Sequence, residues 1–203
     1  MNEKSFERKN ELLKAALDEF TQKNYENSSL NTIIKNAGIS KGTFYYHFQD
    51  KKSLYFFLLE TAVKAKWEFI NNRINEIQQD TRGKDIFDEF KLQAQMGIEF
   101  ALLSPQYHQL SIMFAREKGN KIYEEAKSSF HPDTESMMKE IVKKGRKNGD
   151  LKESFPEEFM VKLLTYLFTN FDEIFSLEED FQLEKMVENL NNYVEFMKHG
   201  MGK

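Results

Sequence analysis

The stretch that decides the fold is SLNTIIKNAGISKGTFYYHFQDK, residues 29–51, and it predicts two short helices joined by a glycine turn. Ser29 can cap the first helix, because its hydroxyl can accept a hydrogen bond from a free backbone N–H of the first turn. Apolar residues then recur at helical spacing and stop just before Gly38, which reaches the left-handed backbone conformation at no steric cost. Ser40 caps a second helix, expected over residues 41–47. Two helices across a short turn containing glycine form a helix-turn-helix pattern.

The second helix of this pattern has an apolar face and a polar face. Phe44 and Phe48 are four residues apart and are expected to face the core. The side chains left facing outward are small, hydroxylated, aromatic or basic: Lys41, Gly42, Thr43, Tyr45, Tyr46 and His47. In a helix-turn-helix protein the second helix presents its N-terminal residues to base edges, while the first crosses the DNA backbone. The stretch therefore predicts a DNA-binding head.

Each of these residues also has an ordinary structural explanation. Tyr45 and Tyr46 could be a half-buried aromatic pair, and His47 could be a simple surface histidine. Lys51 and Lys52 could be solvated charges. The helix-turn-helix interpretation depends on the whole set occurring in one order across 23 residues.

The segment from about Leu12 to Leu59 resembles the N-terminal domain of TetR/AcrR-type transcriptional regulators. The matching pieces are LLKAALDEF in a first helix, NAGISKGTFYYHF across the turn, and DKKSLY at the start of a long helix. One departure is Ile34, where such proteins usually carry a small residue. The resemblance implies an all-α fold, with a three-helix helix-turn-helix domain over residues 1–50 and a helical ligand-binding and dimerisation domain over residues 51–203.

The resemblance also implies which residues face double-stranded DNA. The residues that open the second helix would meet bases or nearby phosphates, and the tyrosine pair would contact the phosphate backbone and pack against base edges. Residues at the N-termini of the second and fourth helices would contact phosphate, because helix N-termini favour anions. The full expected set is Ser29, Thr32, Ser40, Lys41, Gly42, Thr43, Tyr45, Tyr46, His47 and Lys51.

Composition sets the class of protein. Charged residues make up 31% and hydrophobic residues 40% of the 203-residue chain, and there is no cysteine. No stretch approaches the roughly 18 apolar residues of a membrane span, and the N-terminus lacks the apolar core of a secretory signal. We therefore expect a cytoplasmic protein without disulfides or thiolate metal sites. The net charge is −4, but basic residues slightly outnumber acidic ones up to residue 54, which orients the head toward a polyanion.

The rest of the chain predicts successive helices, with no strand pattern, repeat or low-complexity tract. Only three prolines interrupt it. Ser104–Pro105 and Ser154 with Pro156 are expected to start helices, and His131–Pro132 to break or kink one. The expected ranges are residues 51–79, 84–103, 105–117, 120–148 (with the break), 156–177 and 181–199.

The helix expected over residues 156–177 is apolar around most of its circumference, which implies burial on more than one side. In TetR-like proteins the last two long helices pair across a two-fold axis, so the resemblance implies a homodimer. The alternative is that both helices bury against their own body. The expected interface residues are Leu163, Leu167, Phe171, Ile174, Phe175, Leu190, Tyr193, Val194 and Met197.

The middle helices are rich in phenylalanine and methionine. In such regulators these helices surround an inducer pocket, and such side chains can line an adaptable apolar cavity. The resemblance thus implies a hydrophobic or amphipathic small-molecule inducer, with plain core packing as the alternative. The candidate lining residues are Phe90, Met96, Glu99, Phe100, Tyr107, His108, Met113 and Phe168.

An enzyme is the competing class of function. The Glu-x-x-His pairs of di-iron bundles, HExxH, a phosphate-binding glycine loop and a nucleophile elbow do not occur in the sequence. His131 and Glu135 are four residues apart, but Pro132 indicates that His131 merely precedes a helix. We expect no catalysis, no metal and no cofactor. The expected function is a dimeric repressor released from its operator by the inducer; the alternative is a regulator without a pocket, controlled by a protein partner or by abundance.

Overall fold

The computed structural model describes residues 3–77, 84–130, 134–170 and 183–202, and most of these residues are helical. The described helices are α1 Glu3–Gln22, α2 Leu30–Asn36, α3 Lys41–His47, α4 Lys51–Ile77, α5 Ile86–Leu103, α6 Pro105–Ala115, α7 Lys121–Phe130, α8 Thr134–Asn148, α9 Glu157–Thr169 and α10 Leu183–Met201. The only β-type pairing among them is an isolated antiparallel bridge between Leu151 and Gly202. The predicted all-α fold class is confirmed. Over the same ranges, no helix has the length and hydropathy needed to cross a membrane.

Most helix boundaries agree closely with the sequence, but two predicted starts differ from it in position or in capping. The helix predicted from Ser154 begins later, at Glu157, with Pro156 in the capping position and no side-chain cap. Ser104 precedes Pro105 as expected, but its hydroxyl makes no capping hydrogen bond. Pro105 lies in the first turn of α6, where proline loses no helical N–H partner.

The chain divides into two compact units that do not follow the boundary predicted after residue 50. The first unit comprises Met1–Glu68 and Phe100–Phe130, and the second comprises Phe69–Glu99 and His131–Lys203. Helices α6 and α7 thus pack with the N-terminal helices, and α1 contacts both α2 and α6. Apolar side chains of α6 and α7 share one buried cluster with those of the N-terminal helices, which keeps them in the same unit.

The core of the first unit holds the helix-turn-helix in place. Ile33 of α2 and Phe44 of α3 are fully buried in it, and Tyr55 of α4 is 1% exposed. Phe20 lies against Tyr55, with ring centroids 4.7 Å apart. Residues from α6 and α7 complete the same cluster: Leu110, Ile122 and Ala126.

The second unit has its own core, formed by α5, α8, α9 and α10. Its buried members include Ile86, Phe87, Phe90, Met138, Val142, Leu151, Met160, Val161, Leu164, Tyr193, Val194, Met197 and Met201. Helix α8 packs against α9. At Gly145 a Cβ atom would lie 2.8 Å from Ile86 Cδ1, so α8 packs closely here and a larger residue would force the neighbouring side chains to shift.

Candidate nucleic-acid interface

Local hydrogen bonds define the helix-turn-helix as the sequence predicts. The Ser29 hydroxyl accepts from the Thr32 N–H at 3.3 Å, and the Ser40 hydroxyl accepts from the Thr43 N–H at 3.1 Å. Gly38 lies between them with φ +64°, the left-handed conformation that favours glycine. Both predicted caps and the glycine turn are confirmed.

Helix α3 separates its core face from its outer face sharply. Phe44 and Phe48 are buried, whereas Tyr45 is 59% and Tyr46 is 79% exposed. The half-buried alternative for the tyrosine pair is therefore wrong. Large rings held in water on a seven-residue helix offer apolar surface and a hydroxyl to a partner outside the chain.

The N-terminal end of α3 is open. Lys41, Gly42 and Ser40 are exposed, and the Thr43 hydroxyl lies 2.9 Å from that of Ser40. A Cβ atom added to Gly42 would meet only Ser40 Oγ, at 3.7 Å. Nothing in the fold therefore requires glycine at this position, and the small residue leaves room for something that approaches α3 from outside.

His47 is the last residue of α3. It is half-buried, and its ring meets that of Tyr46 edge to face, with centroids 4.9 Å apart. Its Nε2 atom has no hydrogen-bond partner within the described ranges. The histidine is thus tied to the tyrosine pair rather than standing alone on the surface.

Lys51 contacts the backbone of its own chain. Its ammonium donates to the backbone oxygens of Tyr25 at 2.6 Å and Ser28 at 2.9 Å, and it lies 4.3 Å from the centre of the Tyr25 ring. Burial lowers the pKa of Lys51, although the ammonium keeps these contacts. These bonds direct the lysine at the loop between α1 and α2, and its contact with a phosphate stays a prediction.

Comparison with known proteins agrees with this geometry. A family profile described as bacterial regulatory proteins, tetR family, matches residues 12–56, the segment that forms the helix-turn-helix and the start of α4. The biofilm operon negative transcriptional regulator IcaR of Staphylococcus aureus is 36% identical over 66 residues, which cover 32% of this chain and 33% of IcaR. The chain thus spans only one third of the length of the curated relative that it matches at this identity.

Residues 12–56 thus form an N-terminal domain of the TetR type. The uncharacterized HTH-type transcriptional regulator YvdT of Bacillus subtilis is 24% identical over 193 residues, covering 94% of this chain and 93% of YvdT. A TetR-family structure from Syntrophomonas wolfei has a TM-score of 0.69 and 22% identity, and covers 95% of each chain. At this identity the structural likeness shows that the TetR-type fold extends over the body of the chain as well as the head.

The pocket residues expected from the TetR resemblance divide between the two units. In the first unit the rings of Phe100 and Tyr107 stack, with centroids 6.4 Å apart. In the second, Phe90 contacts Phe168 with centroids 4.6 Å apart. The remaining candidates are Met96, which is buried, Glu99, which accepts a hydrogen bond from Arg73, and the half-buried His108 and Met113.

Three predicted dimer residues lie inside the chain's own core. Tyr193 is 6% exposed, and Val194 and Met197 are each 1% exposed. Burial also raises the pKa of Tyr193 to about 12. Side chains with so little exposed area can add little to an interface with a partner, so burial against the chain's own body, the alternative expected from the sequence, describes these three residues better.

The outer surface of the last helices carries other apolar residues. Leu163, Leu167 and Leu190 are half-buried, while Phe171, Ile174 and Phe175 lie outside the described residues. The helix break expected at His131–Pro132 also lies outside them. The sequence reasoning missed three exposed rings: Phe159 at 48%, Tyr166 at 60% and Phe196 at 73%. Phe159, Leu163 and Tyr166 are four and three residues apart, a spacing that places them on one face of α9. For Phe159 and Tyr166, this helical spacing in the sequence indicates a shared apolar face.

Proposed function

We propose that this chain is a cytoplasmic DNA-binding repressor that inserts α3 into the major groove. The observation that carries the proposal is the outer face of α3, where exposed Tyr45 and Tyr46 follow the open Lys41–Gly42 end of the helix. Lys41 contributes charge toward the phosphates, and the tyrosines contribute hydroxyl donors and ring surface to the backbone and base edges. The name of IcaR, a negative transcriptional regulator, supports repression.

We further propose that the repressor is a homodimer that uses the exposed face of α9. A seven-residue recognition helix covers few base pairs, whereas a two-fold dimer reads two half-sites about one helical turn or more apart. Phe159, Leu163 and Tyr166 supply apolar surface on this face. Lys162 and Glu158, exposed on the same helix and 2.7 Å apart, would form its polar rim.

Release from DNA is the third part of the proposal. A hydrophobic or amphipathic small molecule would bind among the aromatic and methionine side chains of the body and favour a state in which the two α3 helices no longer match the operator. Such coupling typically changes affinity by about 1–3 kcal/mol, and it requires that the ligand prefer the DNA-incompetent state.

Selection of genomic fragments with the purified full-length chain tests the function directly. We expect enrichment of a pseudo-palindromic sequence whose half-sites have two-fold symmetry. Binding of that sequence, compared with a scrambled duplex at the same salt concentration, measures specificity rather than general attraction to phosphate. If all duplexes bind equally, and binding vanishes as salt rises, the repressor proposal is wrong.

A further inference from the structure

The loop between α1 and α2, residues 23–29, is held by three charged side chains from three different parts of the chain. Glu19 comes from α1, Lys51 from the first turn of α4, and Glu117 from the turn between α6 and α7. Each of them contacts the backbone of the loop, so the contacts fix the path of the chain; Glu19 and Lys51 also contact the side chains of Lys23 and Tyr25.

Glu117 makes the longest-range of these contacts. One of its carboxylate oxygens accepts from the Tyr25 N–H at 2.5 Å, across 92 positions of sequence. The other accepts from the Asn120 side-chain amide at 2.7 Å. Glu117 is only 1% exposed, and burying a carboxylate is costly unless hydrogen bonds compensate for the lost water. The loop N–H and the asparagine amide provide that compensation.

Glu19 and Lys51 hold the two ends of the same loop. The Glu19 carboxylate accepts from the Ser29 N–H at 2.9 Å and from Lys23 Nζ at 2.8 Å. Burial opposes the ionisation of Glu19, but these hydrogen bonds outweigh it, and the pKa of its carboxyl is lowered. Lys51 binds the backbone oxygens of Tyr25 and Ser28, so that donors and acceptors of the loop are both satisfied.

The loop leads directly into the DNA-binding elements. Ser29, its last residue, is the N-cap of α2, and α2 leads through Gly38 to α3. The position of α2 therefore depends on where the loop ends. A recognition helix must be held to within about half an ångström to keep its contacts, which requires supporting residues that do not touch the ligand.

We propose that Glu117 is a positioning residue for DNA recognition, which acts from the α6–α7 turn by fixing the loop that seats α2 and α3. The inference rests on the proposed DNA-binding function. According to this proposal, the α6–α7 turn helps to orient α2 and α3 on the operator, although it lies far from them in sequence. Glu117 contacts no DNA itself.

The chain offers a charge-matched control. Glu125, on α7, pairs with Lys52 at 3.1 Å and with Lys121 at 3.5 Å, instead of accepting from the loop backbone as Glu117 does. Glu117→Gln and Glu125→Gln each remove one negative charge from the same segment, which by itself should favour binding to a polyanion. Only the Glu117 change disturbs the carboxylate that accepts from Tyr25.

The test measures operator affinity, its salt dependence and amide exchange in the full-length chain. We expect Glu117→Ala to weaken operator binding roughly tenfold and Glu117→Gln to weaken it by a smaller factor, the scale of a lost hydrogen bond to a charged group. Glu125→Gln should bind at least as tightly as the unchanged chain. The salt slope should stay constant, because no phosphate contact is lost. The Tyr25 and Ser29 amides should exchange faster in the Glu117 variants only.

The outcomes separate this inference from the proposed function. The positioning role is overturned if the unchanged chain selects an operator and both Glu117 variants bind that operator as tightly as the unchanged chain does. It is also overturned if Glu125→Gln loses as much affinity as Glu117→Gln, or if loop exchange is unchanged. Should Glu117→Ala fail to fold, Glu117→Gln decides the matter. Failure of the unchanged chain to select any sequence would overturn the DNA-binding proposal instead. Amide exchange of Tyr25 and Ser29 would then still test whether Glu117 fixes the loop.

Discussion

Replacement of Gly42 by alanine should stabilise the fold and weaken DNA binding at the same time. Glycine in a helix is less favourable than alanine by up to about 1 kcal/mol. The added Cβ atom would meet only Ser40 Oγ at 3.7 Å, an ordinary van der Waals contact, so no strain offsets this gain. We expect the free energy of unfolding to rise by about 0.5–1 kcal/mol, which corresponds to roughly 1–4 °C in Tm for a chain of this size.

The same methyl group would project from the open end of α3, where the proposed DNA partner approaches. We expect a loss of operator affinity of about 1–3 kcal/mol, the size of a lost base contact. Thermal denaturation and fluorescence anisotropy with a labelled operator, both at one salt concentration, measure the two effects. Gly200→Ala is the control: residue 200 is helical, nothing lies within 4 Å of its added Cβ, and it lies outside the head.

Two results would refute this reasoning about Gly42. Undiminished operator affinity in Gly42→Ala would show that the N-terminal end of α3 does not closely approach DNA. A lower Tm than that of the unchanged chain would show that the surroundings of Gly42 differ from those described. A loss of affinity in Gly200→Ala as well would show that the effect does not arise at the recognition helix.

Three further results are expected. Tyr46→Ala should lower operator affinity by about 1–3 kcal/mol, since the exposed ring contributes little to the fold; an unchanged dissociation constant would remove it from the interface. Phe159→Glu combined with Tyr166→Glu should give monomers in sedimentation, because like charges replace apolar surface on both copies; a persistent dimer would place the interface elsewhere. Glu19→Gln should reduce the loss of stability in acid. The folded pKa of Glu19 lies below its ordinary value of 4.5, so its ionised form stabilises the fold above that pH, and this contribution disappears as pH falls further. Equal acid denaturation profiles for both chains would contradict this.

The parts of the fold that depend on neighbouring residues could be predicted from the sequence. Ser29 and Ser40 cap helices through N–H groups three residues ahead, and Gly38 ends a helix through its own backbone freedom. The outward orientation of Tyr45 and Tyr46 followed from the core face set by Phe44 and Phe48. Such interactions span a few residues, so their pattern is already present in the order of the side chains.

Long-range packing decided the rest. A lysine at the start of α4 signals a free cation, yet Lys51 is bound to Tyr25, and only the folded chain brings them together. Glu117 is part of no sequence motif, because its partner, the Tyr25 N–H, lies 92 positions away. The apolar stripe of α10 indicates that one side is buried, but periodicity is the same whether the neighbour is the chain's own core or a second copy. The tertiary structure assigns Val194 and Met197 to the core, because α5, α8 and α9 already enclose them.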